Sequence, residues 1–193
     1  MGSVIRPADE TDAARILSIY SPIVTDTAIS FEVAPPTMEE MRTRISSTLT
    51  KLPWLVCTEA EELLGYAYAS QHRQRAAYQW SVDVSVYVRA EVQRRGVGRR
   101  LYGSLFEILR SQGYYSAFAG ITLPNDASVG LHTRLGFEPV GVYRRVGYKL
   151  GRWHDVSWWQ LTLRASDDVP APPRAFATLG DSSETRKDVP GAK

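Results

Sequence analysis

The stretch VQRRGVGRR, residues 92–100, sets Gly96 and Gly98 among Arg94, Arg95, Arg99 and Arg100. Those residue types at that spacing could hold an anion. Glycine lets the backbone come close to a ligand, and the first N–H groups of a following helix are unpaired donors that attract negative charge. The arginines add long-range attraction. Two phosphate-binding schemes fail on spacing. A Walker loop needs a Lys followed by Ser or Thr, and this stretch has no such pair. A dinucleotide loop needs a third glycine three residues after Gly98, where Leu101 stands. A compact QxxGxG loop remains, Gln93–Gly96–Gly98. It reads either as a phosphate cradle or as a strand–helix turn whose arginines are merely solvated.

Few other residues could move protons. Asp83 lies in the segment YQWSVDVSVYV, and His132 in PNDASVGLHTRLGF. Taken alone, each has an ordinary reading: a solvent-facing strand carboxylate, and a helix-surface or core histidine. Arg73, Arg75 and Tyr78, in HRQRAAY, read alone as a solvated charged loop. The three histidines (His72, His132, His154) and the single cysteine lack zinc-site spacing, so no metal site is expected. No nucleophile elbow is present, so Asp83 and His132 do not suggest a serine-type triad. Cys57, in WLVCTE, reads as a small buried hydrophobe.

These residues need elements to position them. Residues 3–8 read as a strand, followed by a helix from about Thr11 to Tyr20, where Ala13, Ile16, Leu17 and Tyr20 share a face. Thr37 and Glu40 match a capping box, so a second helix starts there; its pattern fades near Ser46 and Ser47. PWLVCTEAEELLGYAYAS reads as two strands about a tight acidic turn at Glu59–Glu62. In the next strand Val82, Val84, Val86 and Val88 face one way, and Ser81, Asp83, Ser85 and Tyr87 the other. After the glycine loop, Leu101, Leu105, Ile108 and Leu109 make a helical stripe that Gly113 should stop. A strand, a short helix capped by Asp126 and ended by Gly136, and strands over about 138–148 and 153–164 complete the order. The order implies a mixed α/β sheet with helices on both faces.

The 193 residues suit one domain, expected over 1–164. Residues 165–193 are rich in Pro, Ala, Ser, Asp and Thr and cannot offset their ordering entropy, so disorder is expected over most of them. Hydrophobic residues make up 44% and charged residues 23%, enough for a sizeable core. A net charge of +2 is too balanced for bulk nucleic-acid binding. No secretory h-region or membrane-length apolar run is evident, and one cysteine allows no internal disulfide. A cytoplasmic protein without membrane or nucleic-acid partners is the expectation.

A strand ending VSVYV, then QxxGxG, then an amphipathic helix resembles the central motif of the GNAT superfamily of N-acetyltransferases. PNDASVGLHTRLGF resembles a later motif of that superfamily. TAISFEVAPPT, GYAYAS, RQRAAYQWSVDVSVYV, LPNDASV and KLGRWHDVSWWQL are similar to its phosphinothricin N-acetyltransferase branch. The resemblance covers about residues 3–164. It implies a mostly antiparallel, twisted sheet splayed at the strand that binds acetyl-CoA.

The resemblance also implies roles. Gln93, Arg94, Arg95, Gly96, Val97, Gly98 and Arg99 would hold the pyrophosphate of acetyl-CoA, and Val86, Tyr87 and Val88 its pantetheine arm. Asn125 and Ser128 would contact that arm. An amine attacks a thioester only when neutral, so a base is needed, and the departing thiolate is helped by a proton. Asp83 stands where the branch usually has Glu, one methylene longer, so a bridging water would restore its reach. His132 stands at the position of the proposed thiolate acid. Arg73, Arg75, Tyr78 and Phe31 would bind an anionic amino acid of the phosphinothricin or methionine sulfoximine type, since Arg forks suit carboxylate and phosphinate. Trp153, His154 and Asp155 would brace the fold or a dimer edge. A homodimer is implied. The competing readings are an acetyltransferase for a protein N-terminus or lysine, a non-catalytic acyl-CoA-binding module, and a nucleic-acid binder. Arg73 and Arg75 speak against lysine, and Asp83 with His132 against the non-catalytic reading.

Overall fold

Alternation in YQWSVDVSVYV makes β4 (Ser81–Val88) the central strand. Around it lie β1 (Val4–Pro7), β2 (Trp54–Glu59), β3 (Glu62–Gln71), β5 (Ser116–Thr122), β6 (Glu138–Lys149) and β7 (Arg152–Thr162). The helices are α1 (Ala13–Asp26), α2 (Met38–Leu49), α3 (Val97–Gln112), α4 (Asp126–Arg134) and the single turn α5 (Phe176–Leu179). This is a computed structural model that describes residues 2–165 and 169–179.

The strands form one sheet in the order β1–β2–β3–β4–β5–β7–β6. All neighbours are antiparallel except β4 and β5. β4 pairs with β3 along its whole length, from Gln71↔Val82 to Gly65↔Val88. It pairs with β5 only at Ser81↔Ser116, Val82↔Ala117 and Asp83↔Phe118. Beyond Asp83 the two strands part, and the backbone of Val84 to Val88 loses its strand partner on the β5 side.

The side-chain period of two splits the sheet into two cores. On one face Val82 and Val84 meet Leu101, Leu105 and Leu109 of α3, with Val86 and Val88 packed beside them. On the other, Trp54, Val56 and Tyr66 meet Ile16 and Val24 of α1 and Met41 and Ile45 of α2, and Tyr87 joins from β4. Cys57 is fully buried in the first core, where burial pushes its thiol pKa up.

Helix ends follow their chemistry, and α1 and α2 both run further than the sequence reading placed them. Thr37 Oγ1 accepts from the Glu40 N–H at 3.2 Å, and a Glu40 carboxylate oxygen accepts from the Thr37 N–H at 2.7 Å. α2 then runs through Ser46 and Ser47, whose hydroxyls donate back to the carbonyls of Arg42 and Arg44, and reaches Leu49. α1 continues past Tyr20 and through Pro22 to Asp26, because Val24 extends the buried face beyond the proline. Gly113, at φ 98°, ends α3 as expected. The tight turn between β2 and β3 has Ala60 and Glu61 both left-handed, at φ 46° and 69°, as a two-residue hairpin loop requires.

For the tail, the expected disorder over 166–168 and 180–193 lies outside the described residues. Residues 169–179 return to the domain through backbone groups. The buried Gln112 amide donates to the carbonyls of Lys51 and Arg174, both at 2.8 Å. Trp80 Nε1 donates to the Ala171 carbonyl at 2.9 Å, and the Phe176 N–H to the Lys51 carbonyl at 3.0 Å. Few apolar side chains are needed for such an attachment, so hydropathy alone does not reveal it.

Candidate active site

The parting of β4 and β5 opens a cleft. Its walls are Val84 to Tyr87 on one strand and Ala119 to Thr122 on the other, and Asn125, Ser128 and His132 close it from α4. Four residues expected to touch the cofactor or its thiol, Val86, Tyr87, Asn125 and Ser128, therefore share one cavity with His132. Val88 follows at the end of β4, where it packs toward Gly98: a Cβ there would lie 3.7 Å from Val88 and 3.3 Å from Leu131 of α4. Glycine at 98 lets the first turn of α3 sit close to the strand.

The loop leading into α3 is built for exposed backbone donors. Gly96 caps the helix at φ 80°, a left-handed conformation that favours glycine, with nothing within 4 Å of where its Cβ would be. Arg94 is left-handed too, at φ 62°. Unlike α2 and α4, α3 begins with no side-chain cap, so the N–H groups of Val97, Gly98 and Arg99 lack the partner such a cap would give. Gln93, Arg94, Arg95 and Arg99 are exposed around them. Arg95 lies 3.6 Å from Glu59, and Arg100 bonds Ser3 and turns away from the loop.

His132 is buried at 3% exposure, with both ring nitrogens engaged. Nδ1 lies 2.8 Å from the Ser128 carbonyl, which can only accept, so Nδ1 carries the proton. Nε2 then accepts from the Tyr102 hydroxyl at 3.2 Å. Burial lowers the His132 pKa, opposed by the bond to Ser128, so the neutral ring is favoured. Burial also pushes the Tyr102 pKa well up. Asn125 Oδ1 accepts from the Ser128 N–H at 3.1 Å. Asn125 is thus the cap of α4, one residue before the expected Asp126, and its amide N–H groups remain for another acceptor.

At the closed end of the cleft, Asp83 Oδ1 lies 2.6 Å from His72 Nδ1. Burial pushes the Asp83 carboxyl pKa up, partly offset by the His72 hydrogen bond and the Arg73 charge. The His72 ring stacks on Phe118 at 4.3 Å, with the Tyr78 ring edge-on at 5.9 Å. The Arg73 guanidinium sits 5.7 Å over the Trp158 ring and donates to the His72 carbonyl at 2.8 Å. Arg75 is exposed at the start of the turn that carries Tyr78. Asp83, Arg73 and Tyr78 are therefore one neighbourhood. Phe31 is not brought to it by any contact. Phe31 packs on Gly147, where a Cβ would come within 2.2 Å of its ring, and lies 6.2 Å from the His154 ring. From the same loop, Ile29 is the residue that reaches the cleft.

His72, Tyr102 and Ile29 are the site residues that sequence reasoning missed. With Ser70 opposite Asp83, His72 extends β3 to the same face, diagonal to Asp83. That register was the available signal, but it needs the length of the 73–80 loop to be known. His154 Nε2 bonds the Lys149 carbonyl at 3.0 Å, and Asp155 accepts from the Arg145 N–H at 2.7 Å. Both brace the β6–β7 hairpin. Among the described residues no group of three or more His, Cys, Asp or Glu could hold a metal ion, and no helix is long and apolar enough to cross a membrane.

Comparison with known proteins gives the arrangement its relatives. The family model described as an acetyltransferase (GNAT) domain matches residues 5–158. The chain is 42% identical over 163 residues to a phosphinothricin N-acetyltransferase of Streptomyces coelicolor, covering 82% of this chain and 95% of that one. It is 36% identical to an L-methionine sulfoximine/L-methionine sulfone acetyltransferase of Pseudomonas paraeruginosa, covering 88% of this chain and 100% of the relative. A crystal structure of a GNAT-superfamily phosphinothricin acetyltransferase from Sinorhizobium meliloti, in complex with acetyl-CoA, superposes with a TM-score of 0.82 at 30% identity. That match covers 91% of this chain and 99% of that one. A splayed β4–β5 cleft, a glycine loop at an uncapped helix and these relatives lead to one conclusion: the chain belongs to the GNAT superfamily, as an N-acetyltransferase of its phosphinothricin acetyltransferase-like branch.

Proposed function

We propose that this enzyme transfers acetyl from acetyl-CoA to the α-amino group of a small anionic amino acid, of the phosphinothricin or methionine sulfoximine/sulfone type, by direct attack in a ternary complex. The observation that carries this reading is the grouping of Asp83, Arg73 and Tyr78 at the closed end of a cleft whose other end meets the glycine loop. The names of the relatives support the same class of substrate.

The residues present fit acetyl-CoA. The uncapped N-terminus of α3, with Gln93, Arg94, Arg95, Gly96, Val97, Gly98 and Arg99, would hold the pyrophosphate. The unpaired β4 backbone at Val86, Tyr87 and Val88, with Asn125 and Ser128, would hold an amide-containing arm. Bound there, acetyl-CoA supplies the acetyl thioester.

Arg73 and Arg75 hold the acceptor's anionic groups, Tyr78 lines its side chain, and Ile29 reaches the cleft from the loop that carries Phe31. Asp83, whose pKa is raised, takes the ammonium proton directly or through one water. The freed nitrogen lone pair forms the C–N bond as the C–S bond breaks, and the nitrogen then loses its second proton. That proton reaches the departing sulfur through His132, which is neutral before and after, with the Tyr102 hydroxyl on its Nε2. Acetylation removes the substrate's cationic amine, and for a phosphinothricin-type inhibitor herbicide resistance is the biological consequence.

The sheet edge supports a homodimer. Val140, Val142, Tyr143, Val146 and Tyr148 of β6, and Trp153 of β7, are all exposed. An unpaired edge with that much apolar surface suits a second copy of the chain. A cytoplasmic location fits the single buried thiol.

The test is product identification. The enzyme is given acetyl-CoA with phosphinothricin, methionine sulfoximine, methionine sulfone and a peptide with a free N-terminus, each separately. Singly N-acetylated amino acids are expected by mass spectrometry. Acetylated peptide as the only product would replace this reading with the protein N-terminus.

A further inference from the structure

We propose that His72 is a positioning residue for amine activation: its imidazole holds one oxygen of Asp83 and leaves the other for the substrate's ammonium or its bridging water. This rests on Asp83 being the base.

Three features of the geometry point the same way. The His72–Asp83 contact is 2.6 Å, short for a nitrogen–oxygen hydrogen bond, as an ionised partner favours. With Asp83 ionised and acceptor-only, Nδ1–H of His72 must donate. The ring is fixed before the substrate arrives. Phe118 stacks on it with planes 15° apart, and Tyr78 and Trp158 stand edge-on. Phe118 is also the residue paired with Asp83 at the last register before β4 and β5 separate. Lastly, the imidazole is the inner partner, with 11% of its side chain exposed against 27% for the carboxylate. The histidine thus backs the carboxylate and does not compete with it for the substrate.

The bond has a chemical consequence. Burial favours the neutral acid of Asp83, which cannot accept a proton. The His72 hydrogen bond is the largest influence opposing that. Arg73 is a charged neighbour, Tyr68 senses the Asp83 charge, the Tyr78 ring stands edge-on to His72, and Phe118 and Trp158 on the neighbouring strands do not titrate. Removing the His72 donor should therefore raise the pH at which Asp83 becomes a base.

The test uses pH profiles of kcat with acetyl-CoA and L-methionine sulfone. His72→Phe keeps a ring to stack on Phe118 and lacks the donor. His72→Asn keeps a donor near the Nδ1 position and lacks the ring. His72→Phe is expected to lower kcat about tenfold near neutral pH, part of the roughly hundredfold or more that general-base catalysis contributes, and to move the acidic limb upward. Acetyl-CoA affinity should stay within about threefold, and His72→Asn should restore the limb. In an Asp83→Asn background, His72→Phe should add nothing. If His72→Phe does not fold, His72→Asn is compared with His72→Ala, and equal acidic limbs overturn the proposal. A wild-type kcat and limb in folded His72→Phe, with Asp83→Asn inactive, overturns the role of His72 alone. A wild-type rate in Asp83→Asn overturns both readings.

Discussion

At the scale of residues, the proposed chemistry turns on a half-buried carboxylate and a buried imidazole, whose ionisation burial resists in opposite senses. Asp83 is held toward its neutral form with a raised pKa, and His132 is held neutral with a lowered one. Replacing Asp83 by Asn should lower kcat by about a hundredfold or more, in the range for a lost general base, with acetyl-CoA affinity nearly unchanged. His132→Ala should lower turnover more than it weakens acetyl-CoA binding; the reverse, in folded protein, would make it a binding residue. His132 also carries a pH signature. Its folded pKa lies below the unfolded value of about 6.5, so the unfolded chain binds more protons in mild acid. Its contribution to stability is full above that value and is lost as pH falls through the folded pKa. Between about pH 7 and pH 5, the melting temperature of the wild type should fall more steeply than that of His132→Gln, measured by thermal denaturation. Asp83 and His132 were legible in the sequence because family motifs flank them. His72 was not, since its partner lies across a hairpin whose connecting loop hides the register.

At the scale of elements, the glycine loop is the sharpest test. Gly96 is at φ 80°, where an L side chain costs about 1–2 kcal/mol, and valine adds branching at that position. Gly96→Val should weaken acetyl-CoA binding about tenfold in a calorimetric titration while the fold persists, because nothing crowds the added Cβ. Unchanged affinity would refute a backbone cradle. Spacing excluded the two common nucleotide schemes but left a solvated turn open, and the resemblance to the GNAT motif chose the cradle. The strand before it was legible too: its valines form the core stripe that alternation required. Helix lengths were less so. The apolar pattern ended α1 near Tyr20, but the burial of Val24 carries the helix through Pro22 to Asp26, and the serines where the α2 pattern fades bond back to its own carbonyls. The splay of β4 from β5 came from the resemblance, because no local residue pattern encodes where a parallel pairing ends.

At the scale of the whole molecule, two surfaces extend the domain. The stretch over 169–179 is held by Gln112, Trp80 and Lys51 through main-chain bonds, which composition does not reveal. The apolar edge of β6 is the proposed dimer surface. In light scattering, the wild type should have twice the monomer mass, and Val140→Asp with Val142→Asp should give monomer, since two charges would be desolvated at the interface. A monomeric wild type would contradict the homodimer and leave the chemistry of the cleft untouched. The central claim is acetyl transfer to an amino acid read by its negative charge, and free-thiol release from acetyl-CoA tests it most directly. Release is compared for L-methionine sulfone and for its methyl ester. The expected result is steady release with the free acid. With the ester, kcat/KM should be about tenfold lower or worse, as expected for losing a charge-assisted bond to Arg. Acetyl-CoA binding without thiol release, or an ester that serves as well as the acid, would contradict it.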